Sequence, residues 1–361
     1  MQVSGFAHAK AFVARFALVL SGIGPAVCIV WLGIAAPVFA QTSGGLAPLS
    51  APERGVSEWL MRMHEASRKR AYVGTFVVSS AANMASARIW HVCDGEQQIE
   101  RVESLTGAPR STFRRNDEVI TFRPDTKTAL VEKRDALGIF PSMLKAADSS
   151  IGQHYTAKQH GTERVAGLEA DIVHLDPKDS LRYGYRVWSE KKSGLVIKLQ
   201  TLDTDGRVLE QAAYSDLQLD APVSMAKLSQ MMGNVEGYKI ERPDLIKTNA
   251  LAEGWALKTP VVGFKPMSCY KRLVNKSEGG SSDTAMQWIF SDGLASVSIF
   301  AEGFDRNRHS QEGTMTMGAT RSLTRLYVEK TDKATPWWLT FVGEVPVATL
   351  IGFAQGLERR K

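Results

Sequence analysis

The sequence predicts an α+β protein with two domains: a large, strongly curved antiparallel sheet carrying one or two helices, then a smaller second domain. Three observations carry this. From Tyr72 to Leu217 apolar residues recur with a period of two, in short runs separated by turn formers. The alternation fades between about Asp220 and Glu253, where Pro222, Gly233, Gly237 and Pro243 fall. It returns beyond Gly254 in two conspicuous runs. Trp288 to Phe300 places Ser291-Asp292-Gly293 between two apolar stretches, and Trp337 to Val342 is strand-like until Gly343 and Pro346 interrupt it.

The N-terminus comes before any fold. Residues 1–15 hold Lys10 and Arg15 with no acid, Phe16 to Phe39 is uncharged and mostly apolar, and Val38-Phe39-Ala40 offers small residues where a signal peptidase reads. A secretory signal over 1–40 is the reading these features support, with an uncleaved membrane anchor as its competitor; Gly22, Gly24, Pro25, Gly33 and Pro37 weaken the anchor as a helix. Cys28 lacks the preceding Leu and small residues of a lipidation site. About 320 residues then remain, enough for two cores, and the formal charge falls from +6 to +4. Lysines and arginines are dispersed, which speaks against nucleic acid and leaves anionic lipid or an acidic peptide open. Cys93 and Cys269 are the cysteines that survive, in different domains, and they define no disulfide framework.

Ordered structure is expected from about Pro52. Ser57 suits an N-cap for a helix over Glu58 to Arg70, with Leu60, Met61 and His64 on one face. Strands are expected at 72–79, 87–92, 97–104, 111–115, 118–122 and 129–133, separated by Asp94-Gly95, Thr106-Gly107-Ala108-Pro109, Arg115-Asn116-Asp117 and Pro124-Asp125. A helical interruption over Phe140 to Ala147 precedes strands at 155–165, 169–175, 183–189, 196–201 and 208–217. The first domain thus spans 52–220, a linker 221–253, and the second domain 254–361, with weakly ordered loops near 277–283 and 305–312.

No catalytic constellation emerges. His64, His91, His154, His160, His174 and His309 show no helical zinc spacing, and there is no Gly-x-Ser-x-Gly elbow, dinucleotide fingerprint or phosphate loop. No cofactor is expected. Asp203 and Asp205 read as turn formers. The stripe of large apolar residues on the first-domain strands is ordinarily core. The curvature of so long a meander makes Phe76, Trp90, Phe113, Phe122 and Trp188 candidates for the wall of a hydrophobic cavity. In the second domain Trp288, Phe290, Ser291, Asp292 and Gly293, with Glu344, Val345 and Pro346, read as surface for holding a partner. Adjacent Trp337 and Trp338 point to opposite faces of a strand, so one is free to be core while the other is exposed.

The order of features resembles the MucB/RseB family of periplasmic negative regulators of the envelope-stress sigma factor sigma-E. The matching pieces are Tyr72-Val73-Gly74-Thr75-Phe76, His91, Glu103-Ser104-Leu105-Thr106-Gly107, Tyr185-Arg186-Val187-Trp188, Gly194-Leu195, Leu209-Glu210-Gln211, Gly263-Phe264, Arg272, Phe290 to Ala295 with Val297 to Phe300, and Gly343-Glu344-Val345-Pro346. The last two are the specific ones. Val73 and Ser189-Glu190 depart from the expected pattern. The resemblance implies a first domain similar to the lipoprotein carriers LolA and LolB, an unclosed barrel capped by helices over a hydrophobic cavity. It implies a smaller α/β second domain, and adds Arg272 to the partner-binding set. It further implies a periplasmic location and binding to the periplasmic part of a single-pass anti-sigma factor, shielding it from proteolysis until lipopolysaccharide or another acyl lipid displaces the regulator. By linkage, the lipid and the anti-sigma segment then weaken each other's binding by one factor. A lipid or lipoprotein carrier is the alternative, and an unrecognised periplasmic enzyme the third. The natural lipid, homo-oligomerisation and the segment bound stay open.

Overall fold

A computed structural model describes residues 54–81, 83–133, 150–243, 245–275, 283–309, 311–328 and 336–360. The expected signal over 1–40, the helix at 140–147 and most of the loop at 277–283 lie outside these residues.

Helix α1 (Val56–Lys69) buries Val56, Trp59, Leu60, Met63, Ala66 and Ser67, a stripe at helical spacing, and keeps Glu58 at its N-terminal end and Arg68 and Lys69 at its C-terminal end, as the helix dipole favours. The cap is Gly55 rather than the expected Ser57, with no side-chain bond, and Met61 points to solvent. Leu60 is buried as expected and His64 half-buried, but the stripe runs through Trp59 and Met63 rather than Met61.

Eleven strands follow in hairpin order: β1 (Tyr72–Ser80), β2 (Asn83–Cys93), β3 (Gln98–Ser104), β4 (Ser111–Arg115), β5 (Glu118–Arg123), β6 (Thr128–Lys133), then, after the short α2 (Ile151–His154), β7 (Tyr155–Val165), β8 (Leu168–Pro177), β9 (Gly184–Glu190), β10 (Val196–Leu202) and β11 (Val208–Leu219). Each expected strand is present, and 111–115 and 155–165 carry the expected bounds. Helix α3 (Met225–Gly233) and β12 (Lys239–Glu241) complete the domain. The sheet runs β12-β6-β5-β4-β3-β2-β1-β11-β10-β9-β8-β7, antiparallel except where β12 joins β6, and its two end strands do not pair. Bulges at Thr75/Phe76, Val196/Lys198, Thr201/Leu202 and Gln159/Thr162 add local twist. The result is an unclosed, curved sheet. Helix α1 lies against Tyr155, Val173, Leu175, Tyr185, Val187 and Val196 at the β7–β10 end. Leu228 and Met232 of α3 cover Ile99, Phe113, Ile120 and Phe122 at the other end.

The second domain is a seven-stranded antiparallel sheet in the order β13 (Leu245–Thr248), β15 (Lys265–Asn275), β16 (Asp283–Ser291), β17 (Ser296–Gly303), β20 (Trp337–Gly343), β19 (Thr320–Tyr327), β18 (Gly313–Met317). A ribbon of β14 (Trp255–Leu257) and β21 (Leu357–Arg359) and the helix α4 (Val347–Gly356) complete it. The predicted alternation in β17 holds: Ala295, Val297 and Ile299 are buried against Phe341 of β20 and Leu350 and Phe353 of α4, while Leu294, Ser296 and Ser298 are half-buried. Gly343 ends β20, and Pro346 is the residue before α4. Neither tryptophan of the Trp337-Trp338 pair is exposed: Trp337 meets Trp255 edge-on at 5.6 Å, and Trp338 stacks on His309 at 5.0 Å. Of the loop expected at 305–312, residues 305–309 form a turn held by the Asp305 N–H donating to His309 Nδ1 at 2.9 Å.

The stretch read as a linker is structured. Helix α3 and β12 belong to the first sheet and β13 to the second, leaving little chain between them. Met225, Leu228 and Met232 give α3 a buried side that prolines and glycines on either side obscured in the sequence.

Candidate functional site

The Ser291-Asp292-Gly293 turn joins the domains. Register pairs Ser291 with Ser296, so residues 292–295 form the hairpin loop. Ser291 Oγ accepts from Gly293 N–H at 3.0 Å and donates to the Ala295 carbonyl at 2.9 Å; Asp292 Oδ1 accepts from the N–H groups of Leu294 and Ala295 at 2.9 and 2.7 Å. Gly293 has φ +102°, which suits glycine. This internal bonding fixes the loop and leaves Asp292 Oδ2 aimed outward.

The other half comes from the turn between β8 and β9. Arg182, 0 % exposed, donates through Nε to Asp292 Oδ2 at 2.8 Å, through Nη2 to the Val262 carbonyl at 2.6 Å, and through Nη1 to Asp179. Its guanidinium lies 5.1 Å from the Phe264 ring. Tyr155, the first residue of β7, donates its hydroxyl to the same Oδ2 at 3.2 Å. Burial, with help from Tyr185 and Asp292, holds the Tyr155 phenol well above its ordinary pKa, so it is a fixed donor. Burial and then the Arg182 charge push the His154 imidazole below its ordinary value. Gly263, at φ +82°, lies so close that a Cβ there would come within 2.0 Å of Arg182 Nη2. Only glycine fits.

Side chains are exchanged around this pair. Leu181 of the first domain packs into the second core, and Leu294 of the second packs against the α1 cluster of the first. Thr349 of α4 donates to the Leu181 carbonyl at 2.7 Å, and Lys265 reaches Ser150 Oγ at 3.2 Å. A charge pair buried this fully is stabilising only when its remaining groups find partners, and here each Arg182 nitrogen and each Asp292 oxygen has at least one.

This placement corrects the expected partner surface. Asp292 is 3 % exposed and bonded across the domains, Phe290 (2 %) packs on Phe353 with centroids 4.9 Å apart, and Val345 is fully buried in the second core. None of these three faces solvent. Pro346 accepts from Thr349 N–H at 3.0 Å, and Glu344 is half-buried. Trp288 and Arg272 are half-buried, but on opposite faces: Trp288 lies across from Cys269 and Arg272 across from Ala285. The expected residues thus divide between a joint, a core and two sheet faces.

The expected cavity wall divides too. Phe76 lies opposite Ala87 of β2, three positions from Trp90, so these side chains leave the sheet on opposite faces. Phe76 packs with Tyr214 at 6.0 Å and shares a cluster with Trp188 and Ala66 of α1. Trp188 is capped by Lys198 at 4.0 Å and donates to Glu163. Trp90, in register with Arg101 and through it Phe113, belongs with Phe122 under α3; Arg101 covers the Trp90 ring at 4.8 Å. The alternation has the expected period, but its large residues lie on both faces of the sheet.

Cys93 and Cys269 are both free, and burial pushes the Cys269 thiol up to about 11. Among the described residues no group of three or more His, Cys, Asp and Glu is arranged to hold a metal, and no helix is long and apolar enough to cross a membrane. Arg182, Tyr155 and Thr349 were not singled out from sequence. Of the joint residues, the sequence marked Asp292 and Gly293, as partner surface, and Gly263-Phe264, through the resemblance.

The MucB/RseB N-terminal domain profile matches residues 55–232 and the C-terminal domain profile residues 249–358, in order, one for each sheet. The chain belongs to the MucB/RseB family. Among its relatives in that family, the sigma-E factor regulatory protein RseB of Haemophilus influenzae is 24% identical over 315 residues, covering 86% of this chain and 93% of that one. The sigma factor AlgU regulatory protein MucB of Pseudomonas aeruginosa is 26% identical over 301 residues, covering 81% and 87%. The fold is similar to that of MucB solved in complex with MucA(peri), with TM-score 0.64 and 23% identity over 84% of this chain and 99% of that one. A second MucA/MucB complex from Pseudomonas aeruginosa gives 0.65. The joint therefore connects the two domains that define the MucB/RseB family.

Proposed function

We propose that this protein is a periplasmic regulator that binds the periplasmic part of a transmembrane anti-sigma factor, shields it from regulated proteolysis and so keeps an envelope-stress sigma factor inactive. The observation that supports this most is the two-domain match along nearly the whole folded chain, to relatives named as regulators of sigma-E and AlgU. The side chains of the specific motif at 290–295 are spent on turn geometry and on an interdomain ion pair.

Lipopolysaccharide or another acyl lipid is the releasing ligand in this reading. It enters the first domain between the unclosed sheet and its covering helices, where Phe76 and Trp188 on one side and Phe113 and Phe122 on the other form separate apolar clusters. Because Asp292 and Arg182 tie the two domains, a change in the first domain reaches the second through a short, bonded path. The test is titration of the chain from residue 41 onward with the recombinant periplasmic fragment of the anti-sigma factor from the same genome. One-to-one binding that weakens when lipid A vesicles are added supports the proposal; absence of binding refutes it.

A further inference from the structure

The second sheet ends in an open strand beside a cavity. β13 pairs on one side with β15, and no described strand pairs with its other side. Next to it a cavity of about 560 Å³ opens between this edge and the β14 ribbon. Its wall includes the cross-strand row Thr248, Cys269, Trp288, which leads from the edge toward the core. The rim holds exposed apolar side chains, Leu251 and Met267, and two cations, Lys247 and Arg360. An unpaired edge strand offers backbone donors and acceptors to an extended chain, and an apolar notch beside it selects alternate side chains of that chain.

Charge points to the chemistry of the occupant. Residues 41–253 carry 28 Lys and Arg against 28 Asp and Glu, whereas residues 254–361 carry 14 against 10. The positive surplus of residues 41–361 therefore sits in the second domain; moving the boundary to β13 adds Lys247 and Glu253 together and leaves it unchanged, with Lys247 at the cavity rim. An acidic segment is favoured there, an identical basic domain disfavoured.

We propose that this groove takes an extended acidic segment of the partner protein, which adds a strand to β13, seats an apolar side chain against Trp288 and Cys269, and sets carboxylates beside Lys247 and Arg360. This rests on the regulator reading and assigns the surface it leaves open. The groove recruits Trp288 from the residues the sequence nominated and needs none of the buried ones.

The experiment titrates the chain from residue 41 onward and three variants, Leu251→Asp, Met267→Asp and the double Lys247→Glu/Arg360→Glu, with the recombinant periplasmic fragment of the anti-sigma factor. These positions lie at the surface, so thermal melts are expected to match the parent. The account expects affinity to fall at least about tenfold in each variant, a flatter salt dependence in the double variant, and slowed amide exchange at 245–248 in the parent complex. Parent-like affinity in all three overturns the groove while leaving the regulator reading intact. No binding by the parent overturns both. Sedimentation showing that the variants alter self-association, with fragment affinity unchanged, assigns the groove to a second copy and overturns the proposal.

Discussion

Arg182 Nε and Asp292 Oδ2 lie 2.8 Å apart with both side chains buried, one from each domain. This bond gives the Ser-Asp-Gly motif its physical reason. The turn satisfies one carboxylate oxygen internally and spends the other on the neighbouring domain. The domain joint and the motif are therefore one feature.

Removing Asp292 leaves the buried Arg182 with Asp179 as its remaining carboxylate, and takes the acceptor from Arg182 Nε, the Tyr155 hydroxyl and two turn N–H groups. Asp292→Ala is expected to destabilise the protein by roughly 3–5 kcal/mol. The double variant Arg182→Met/Asp292→Leu removes both buried charges and is expected to recover the part of that loss due to Arg182, while the turn bonds to Asp292 Oδ1 stay absent in both variants. Chemical denaturation of the two variants and the parent checks this; equal losses in the single and double variants refute it.

Gly263→Ala tests the joint without altering charge. A methyl at φ +82° carries backbone strain of about 1 kcal/mol or more, and it collides with Arg182 Nη2 and the His154 ring. Calorimetry is expected to split one transition into two as the domains uncouple. Gly293→Val strains the other side, where Ile151 Cδ1 stands 3.2 Å from the added Cβ. Unchanged melting of both variants contradicts the account.

Acid acts on His154. Burial and Arg182 lower its folded pKa below the ordinary value of 6.5, with Lys265 acting in the same direction and Asp292 and Asp179 opposing. As pH falls through the unfolded value the unfolded chain takes up a proton first, so stability falls on acidification and is fully present above that value. His174, lowered by burial, His160 and Arg186, acts in the same sense. Melting temperature is expected to fall from pH 7.5 to 5.5, and less steeply in His154→Gln. A steeper fall in that variant refutes the assignment.

Thiol labelling separates the cysteines. The raised Cys269 thiol, buried in the second domain, is expected to resist an aromatic disulfide reagent at pH 8, while half-buried Cys93 reacts first. Faster labelling of Cys269 means the β13 edge opens in solution.

Much of the fold was legible because period-two alternation survives any tertiary context in which one strand face is buried. Tyr72, Gly74 and Phe76, or Val297 and Ile299, mark their strands regardless of what covers them. Which face is covered by which helix is not written in that period, so Phe76 and Trp90 were placed together when the register sets them apart. The joint was hidden for another reason. Arg182 sits in an irregular turn and meets Asp292 from 110 positions away, and no local pattern announces such a contact. The motif at 290–295 was conspicuous, but its exposed reading came from its turn chemistry alone.

The central claim is protection of the anti-sigma factor. The most direct measurement is the cleavage half-life of its full periplasmic segment by the cognate membrane-anchored protease, with and without the chain from residue 41 onward. The account predicts a half-life lengthened by about tenfold or more at saturating regulator, returning toward the free value when lipid A vesicles are added. Equal half-lives with and without the regulator, at concentrations where titration shows the complex formed, contradict it.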